Sequence, residues 1–435
     1  MTATAGRSRE RLGHTGLGDL DQHILSVGAA VFTLGLAAWL IATRATPHQS
    51  WSMLDLQIYR WAGVVARHGH DAYTPTYHGL SYTYTPFALL LSAAASVLSI
   101  SVLRVLVTVA SLLALLAIVW AAWGMAGLAR DQRRVGLTLG VAGLALWLEP
   151  IVQNLRFGQI NLLLVALVVL DLARADSSRW KGVGVGIAAA IKLVPAIFIV
   201  YLLLTGRWRA AGRAVGVVVG GVVLGFVAFP GASAHYWFGR LFIDSSRVGG
   251  VAYVSNQSLN GALVRLLGGV SPAVPWWIVL FLAVGAGGLA LAVWAHRQGD
   301  ELLAVVVVAL TGLLVSPISW SHHWVWVPVG LVAALEVAVI RPHRALAALG
   351  VVAVVLGVFA WVPVKLIWRV PYSEGREYHW HGWQLLVGNT YVEFGLLLLG
   401  VVALYLWSRA RASRGSAGAG RRGSAEAGRE ALASV

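Results

Sequence analysis

Long apolar runs separated by short polar breaks fill most of the sequence, and their spacing sets the first expectation. Runs at 24–43, 102–126, 135–149, 159–173, 183–193, 196–205, 215–229, 275–295, 302–316, 322–340, 345–364 and 389–408 are read as twelve bilayer-crossing helices. A hydrocarbon core about 30 Å thick asks for roughly 20 apolar residues per helix, and the longer runs meet that length. The runs 183–193 and 196–205 do not; they flank Pro195 and carry Lys192 within the apolar zone. Proline removes a backbone donor, so a helix broken at membrane depth needs neighbouring protein or a water-filled cavity to satisfy the freed groups. A cavity near Lys192 is therefore expected. Residues 86–98 are apolar but short, and counting them as a crossing would move Arg130, Arg133 and Arg134 to the other face. They are read as a helix lying at the outer interface.

Composition agrees with the pattern and excludes a soluble fold. The chain is 58% hydrophobic and only 12% charged, with 20 Trp, so the expected class is an all-α polytopic membrane protein. A net charge of +15 would suggest nucleic acid, but the basic residues cluster in short loops at 130–134, 174–181, 207–213, 297 and 341–344 and in the two tails. That arrangement fits the positive-inside bias, which puts these loops and both termini in the cytoplasm and leaves nucleic acid out. Residues 1–23 are expected as a cytoplasmic tail, 24–408 as the membrane domain with 44–101 as its first outer loop, and 409–435 as a disordered basic tail. The run 24–43 lacks a small-residue cleavage pattern and is read as a retained first span. With no Cys in the chain, disulfides, thiolate metal sites and cysteine nucleophiles are excluded.

By subtraction, the outer face collects 44–101, 150–158, 230–274, 317–323 and 365–388, segments rich in the Asp, Asn, Gln, His, Trp and Tyr that grip sugar hydroxyls and stack on sugar rings. Asp55 and Tyr59 are four residues apart and share a face if the segment is helical. A positioned carboxylate can remove the proton of an acceptor hydroxyl; the same Asp is also suited to capping an interfacial helix. In RFGQIN, Arg156, Gln159 and Asn161 surround Gly158, whose missing side chain permits close backbone approach. Arg156 suits either a phosphate or simple snorkelling to the interface. Lys192 is a costly intramembrane cation, expected to face a lipid-linked phosphate. Asn256 and Gln257 in SNQSLNG read as hydroxyl binders or as an ordinary capped loop, and Trp320, His322 and His323 stand where a span re-enters the membrane. Outer acids are sparse and none is adjacent to another, so no metal site and no cofactor are expected. One base without a metal suits a donor whose leaving group is already a phosphate, which needs cations to depart.

Five pieces, DLQIY with YTYTPF after it, LRFGQIN, AAAIKLVP, SNQSLNG and SPISWSHHWVW, fall in this order over residues 55–326. Together they resemble the polyprenyl-phosphomannose-dependent α-1,2-mannosyltransferases of actinobacteria, in the GT-C superfamily; the C-terminal part resembles them only in hydropathy. The resemblance implies interfacial helices in the first outer loop, over a cavity open to the outer leaflet of the plasma membrane. It implies Asp55 as the base, polyprenyl-phosphate mannose as donor and a mannosylated glycolipid, of phosphatidylinositol mannoside or lipomannan type, as acceptor on the periplasmic side. Arg156, Lys192 and His322 are placed near donor phosphate or sugar by charge and depth, and Tyr59, Gln159, Asn161, Asn256, Gln257, Trp320 and His323 beside donor or acceptor. Two alternatives stay open: a transferase using another polyprenyl-phosphate sugar such as arabinose, and a lipid-linked sugar transporter, against which the lack of a clear inverted repeat weighs.

Overall fold

Polar residues at helix starts explain many of the boundaries. Thr85, Ser99, Asp131, Ser258 and Asp300 each accept a backbone N–H from the first turn of the helix that follows, which satisfies a donor with no partner inside the helix. The computed structural model describes residues 4–45, 52–340, 345–361 and 370–433, with side chains for 19–44, 52–338, 345–360 and 370–411. The ends of the expected 345–364 span and of the two tails thus lie outside the described residues.

The chain is a helical membrane protein. Among the described residues five helices are long and apolar enough to cross a bilayer: Asp19–Arg44, Ile100–Met125, Trp208–Ala228, Val270–Arg297 and Thr390–Arg411. A sixth crossing is possible through Gln132–Ala145 and Glu149–Phe157, which meet at a 75° bend. The other expected spans correspond to shorter helices, including Asn161–Leu172, Glu301–Val315 and Val327–Ala338. Length and apolarity therefore identify fewer crossings than the twelve expected from hydropathy.

Several boundaries move. Residues 150–158, expected as a turn, are mostly helical, because Pro150 sits in the first turn of Glu149–Phe157, where its missing N–H is harmless. The expected 322–340 span begins at Val327, and Ser321–His323 forms a separate 3-10 turn before it. From Arg409 onward the backbone continues as helix to Ala433, where composition suggested disorder; Ala and Arg are both strong helix formers.

Close helix crossings are made by glycine. A Cβ on Gly28 would lie 2.0 Å from the Gly136 carbonyl oxygen, and one on Gly35 would lie 2.8 Å from that of Gly143, so the first span meets Gln132–Ala145 backbone to backbone. The segment expected as the first outer loop holds its own short elements and packs on the bundle. It contains the helices Leu54–Arg67 and Pro86–Ala95 and a short hairpin pairing Thr76–Tyr77 with Leu80–Ser81. The hairpin turns through His78 and Gly79, both at positive φ, as a two-residue turn requires.

One end of the bundle is ionic. Lys181 lies 2.6 Å from Asp176, Arg207 and His296 each lie 2.6 Å from Glu301, and Arg409 lies 3.0 Å from Asp300. These contacts gather segments near 176–181, 207, 296–301 and 409, which charge had grouped on one face. Three helices, Asn161–Leu172, Val183–Ile191 and Glu301–Val315, lead away from this end.

Candidate active site

At the far end of those helices the first outer loop meets the broken span. Asp55 occupies the first turn of Leu54–Arg67, but it does not cap the helix: Met53 holds that position, in a left-handed conformation, with no side-chain cap. The Asp55 carboxylate instead accepts a short hydrogen bond from the Gln159 side-chain amide. Burial pushes this carboxyl from its usual 3.8 up to about 6, against the opposing pull of the Gln159 hydrogen bond and the Lys192 charge.

Gly158 makes that meeting possible. It ends Glu149–Phe157 at φ 67, a left-handed conformation that glycine adopts at least cost. A Cβ there would lie 2.7 Å from the Leu56 Cβ and 3.0 Å from the Met53 Cβ, so a side chain would push the Asp55 helix away. Gln159 is oriented from its other side by Tyr84, whose hydroxyl donates to the Gln159 carbonyl oxygen at 3.0 Å. Tyr59 donates in turn to the Tyr84 hydroxyl at 3.1 Å and meets its ring edge-on.

Lys192 stands at the break itself. Val183–Ile191 ends there, and Lys192 has extended backbone dihedrals before the chain turns through Val194–Ala196 into Ile197–Leu204. Its ammonium donates to Asn161 Oδ1 at 2.9 Å and to His323 Nε2 at 3.0 Å. Since an ammonium can only donate, His323 carries its own proton on Nδ1. Asn161 also donates to the His322 backbone carbonyl at 3.2 Å, tying the histidine turn to the start of Asn161–Leu172. That helix has 12 residues, a rise of about 18 Å, against a hydrocarbon core of about 30 Å.

His322 is 6% exposed, and among the described residues neither of its ring nitrogens has a hydrogen-bond partner. Its ring meets Phe157 edge-on at 5.4 Å and His323 at 4.9 Å. A buried imidazole without partners is unfavourable by itself and suits a position where a ligand completes its bonding.

The structure thus brings together Asp55, Tyr59, Gln159, Asn161, Lys192, His322 and His323 from segments far apart in sequence. Arg156 is half-buried in the last turn of Glu149–Phe157. Asn256 and Gln257 are buried, with their amides committed to the backbone. Asn256 bonds Val251 O and Ser319 N, and Gln257 bonds Val254 O, Gly388 O and Tyr391 N. Trp320 pairs with Asn256 in an isolated β-bridge and packs edge-on to Tyr253. Tyr84 and Thr85 were not singled out from sequence, although both lie in the YTYTPF piece. Among the described residues no group of His, Asp and Glu is arranged to hold a metal ion.

Comparison with known proteins fits this geometry. Residues 82–317 match glycosyltransferase family 87. The chain is 34% identical over 407 residues to the polyprenol-phosphate-mannose-dependent alpha-(1-2)-phosphatidylinositol mannoside mannosyltransferase of Mycobacterium tuberculosis, covering 86% of this chain and 92% of the relative. It is 32% identical over 384 residues to the protein of the same name in Mycolicibacterium smegmatis, covering 82% and 84%. A polyprenol-phosphate-mannose-dependent alpha-(1-2)-phosphatidylinositol pentamannoside mannosyltransferase of Mycolicibacterium smegmatis is 33% identical over 255 residues, covering 57% and 59%. No solved structure matches the chain. With more than half of its length in the family match and one relative aligned nearly end to end, the chain belongs to glycosyltransferase family 87 and is a membrane glycosyltransferase.

Proposed function

We propose that this protein transfers mannose from polyprenol-phosphate mannose to a mannosylated glycolipid of the phosphatidylinositol mannoside or lipomannan type, forming an α-1,2 linkage. The donor and the phosphatidylinositol mannoside acceptor are those named for its relatives. The observation that carries the reading is the pairing of the Asp55 carboxylate with the half-buried Lys192 ammonium, the two linked through the neutral amides of Gln159 and Asn161.

The transfer runs as a single inverting displacement. The acceptor 2-hydroxyl attacks the anomeric carbon while its proton passes to Asp55, and the bond from that carbon to the phosphate oxygen breaks. The electron pair leaves with the prenyl phosphate, whose charge Lys192 holds, with His322 or Arg156 assisting. A base works best when its pKa lies near the operating pH, and about 6 meets that need. The phosphate leaving group requires cations rather than an acid, so one carboxylate suffices. The site faces the periplasm and the ionic end, with both termini, faces the cytoplasm, in keeping with the basic loops gathered there.

The test is a transfer assay with labelled polyprenol-phosphate mannose and extracted acceptor lipids, followed by linkage analysis. Mannose should appear on the acceptor in a 1,2 linkage with wild type and not with Asp55→Asn. Full turnover by Asp55→Asn in the membrane would remove Asp55 as the base, and transfer of arabinose instead of mannose would replace the donor.

A further inference from the structure

Glu149 is a buried carboxylate that the transfer step does not use. It is 8% exposed and sits in the first turn of Glu149–Phe157. Its Oε1 accepts from the Ser321 hydroxyl at 2.7 Å and its Oε2 from the Tyr391 hydroxyl at 2.8 Å, both bonds buried. Gln153, one turn further on, adds a side-chain hydrogen bond. The donors come from three separate elements, the histidine turn, the Thr390–Ala433 helix and its own helix. A carboxylate presents two acceptor oxygens side by side, whereas a glutamine in its place would offer one oxygen and one amide group that only donates.

These contacts close a loop through the active site. From Glu149 the helix runs to Gly158 and presents Gln159 to Asp55. From Ser321 the chain runs directly into His322 and His323, and His323 meets Lys192. One carboxylate therefore ties the side of the site that takes the proton to the side that holds cationic and imidazole groups. We propose that Glu149 is a positioning residue for the reaction: it fixes the Ser321–His323 turn against the helix that carries Gln159 to Asp55. This inference rests on the transferase reading above.

The experiment compares full-length wild type with Glu149→Ala, Glu149→Gln and Ser321→Ala in detergent or nanodiscs, reading amide hydrogen exchange over 318–326 and steady-state kinetics. In Glu149→Ala, exchange in that segment should accelerate while the ionic end stays as in wild type. Its kcat should fall by about 10²-fold, the loss expected when reacting groups shift by about 1 Å, with donor KM little changed. Glu149→Gln, which keeps one acceptor, should fall between Ala and wild type. A merely structural glutamate would lower thermal stability but leave the kcat of the folded fraction unchanged, and that result overturns the proposal. If Glu149→Ala does not fold, Ser321→Ala, which removes the hydroxyl that links the histidine turn to Glu149, decides the question, since wild-type exchange and wild-type kcat there also overturn it. Hydrogen exchange needs no sugar chemistry, so a wild type that transfers no mannose would sink the functional reading while the exchange comparison still reports on Glu149.

Discussion

The two ends of the bundle treat charge in opposite ways. At the ionic end, acids and bases meet directly. Lys181, 4% exposed at its side chain, spends its ammonium on Asp176 and on the carbonyls of Leu172 and Arg174, and Glu301 receives both Arg207 and His296. At the other end, Asp55 is held by Gln159 and Lys192 by Asn161. The amides orient the carboxylate and the ammonium without neutralising them. Direct pairing cancels charge and fastens loops, while amide mediation keeps charge in place for a substrate whose own charge changes during reaction. On the proposed mechanism, the contrast separates a structural lysine from a chemical one inside a single chain.

The sharpest way to break the contrast is at Asp55. Asp55→Asn should lower turnover by about 10²- to 10⁴-fold, the range of a positioned base, in the labelled-donor assay. It should not destabilise the fold. A carboxyl raised from 3.8 to about 6 is bound more tightly by protons when folded, so its stabilising effect is lost as pH rises through that window. Near neutral pH the asparagine variant should be as stable as wild type or more stable, by up to about 3 kcal/mol, read as an equal or higher melting temperature. Next comes Lys192→Ala, for which kcat/KM toward the donor should fall by about 10²- to 10³-fold, as when a charge-stabilising donor is removed. Unchanged donor kinetics would put the phosphate elsewhere.

The pH profile sharpens the comparison with a smaller effect. Below about 6, Asp55 is protonated and cannot accept the acceptor proton, so kcat/KM should drop about tenfold per pH unit. An acid limb centred near 4 would mean the carboxylate is not desolvated when it works. The smallest effect on turnover belongs to the ionic end. Arg207→Ala should cost roughly 1–2 kcal/mol of stability, since Glu301 loses one charged partner and keeps His296, seen as a lower melting temperature, with the kcat of the folded fraction unchanged.

Much of the site was legible because membranes make charge conspicuous. Asp55 and Lys192 stand out in any apolar sequence, and Gly158 between Arg156 and Gln159 announced a close approach that Met53 and Leu56 supply. What stayed hidden were partners. Gln159 lies 104 residues from Asp55 and His323 lies 131 residues from Lys192, distances over which periodicity carries no information. Asn256 and Gln257 have the composition of a sugar-binding loop, yet their amides bond backbone, because buried backbone groups in a membrane protein need partners as much as ligands do. Asp55 does not cap because the helix begins at Leu54 and Met53 holds the cap position, which leaves the carboxylate to accept from Gln159. The fold class followed from apolar runs; five of the twelve expected spans correspond, among the described residues, to helices long and apolar enough to cross a bilayer, while runs such as 183–193 and 196–205 form short helices either side of the break at Lys192.

Thr85 joins two elements that sequence would treat as separable. Its hydroxyl accepts from Ala88 N at 3.2 Å, which starts Pro86–Ala95, and donates to the carbonyl of Ala190, where Val183–Ile191 is about to stop at Lys192. A chimera that exchanges the first outer loop between relatives with a seam at Thr85 would leave the broken span unfinished and shift the lysine. A working graft must carry Thr85 together with residues 190–192.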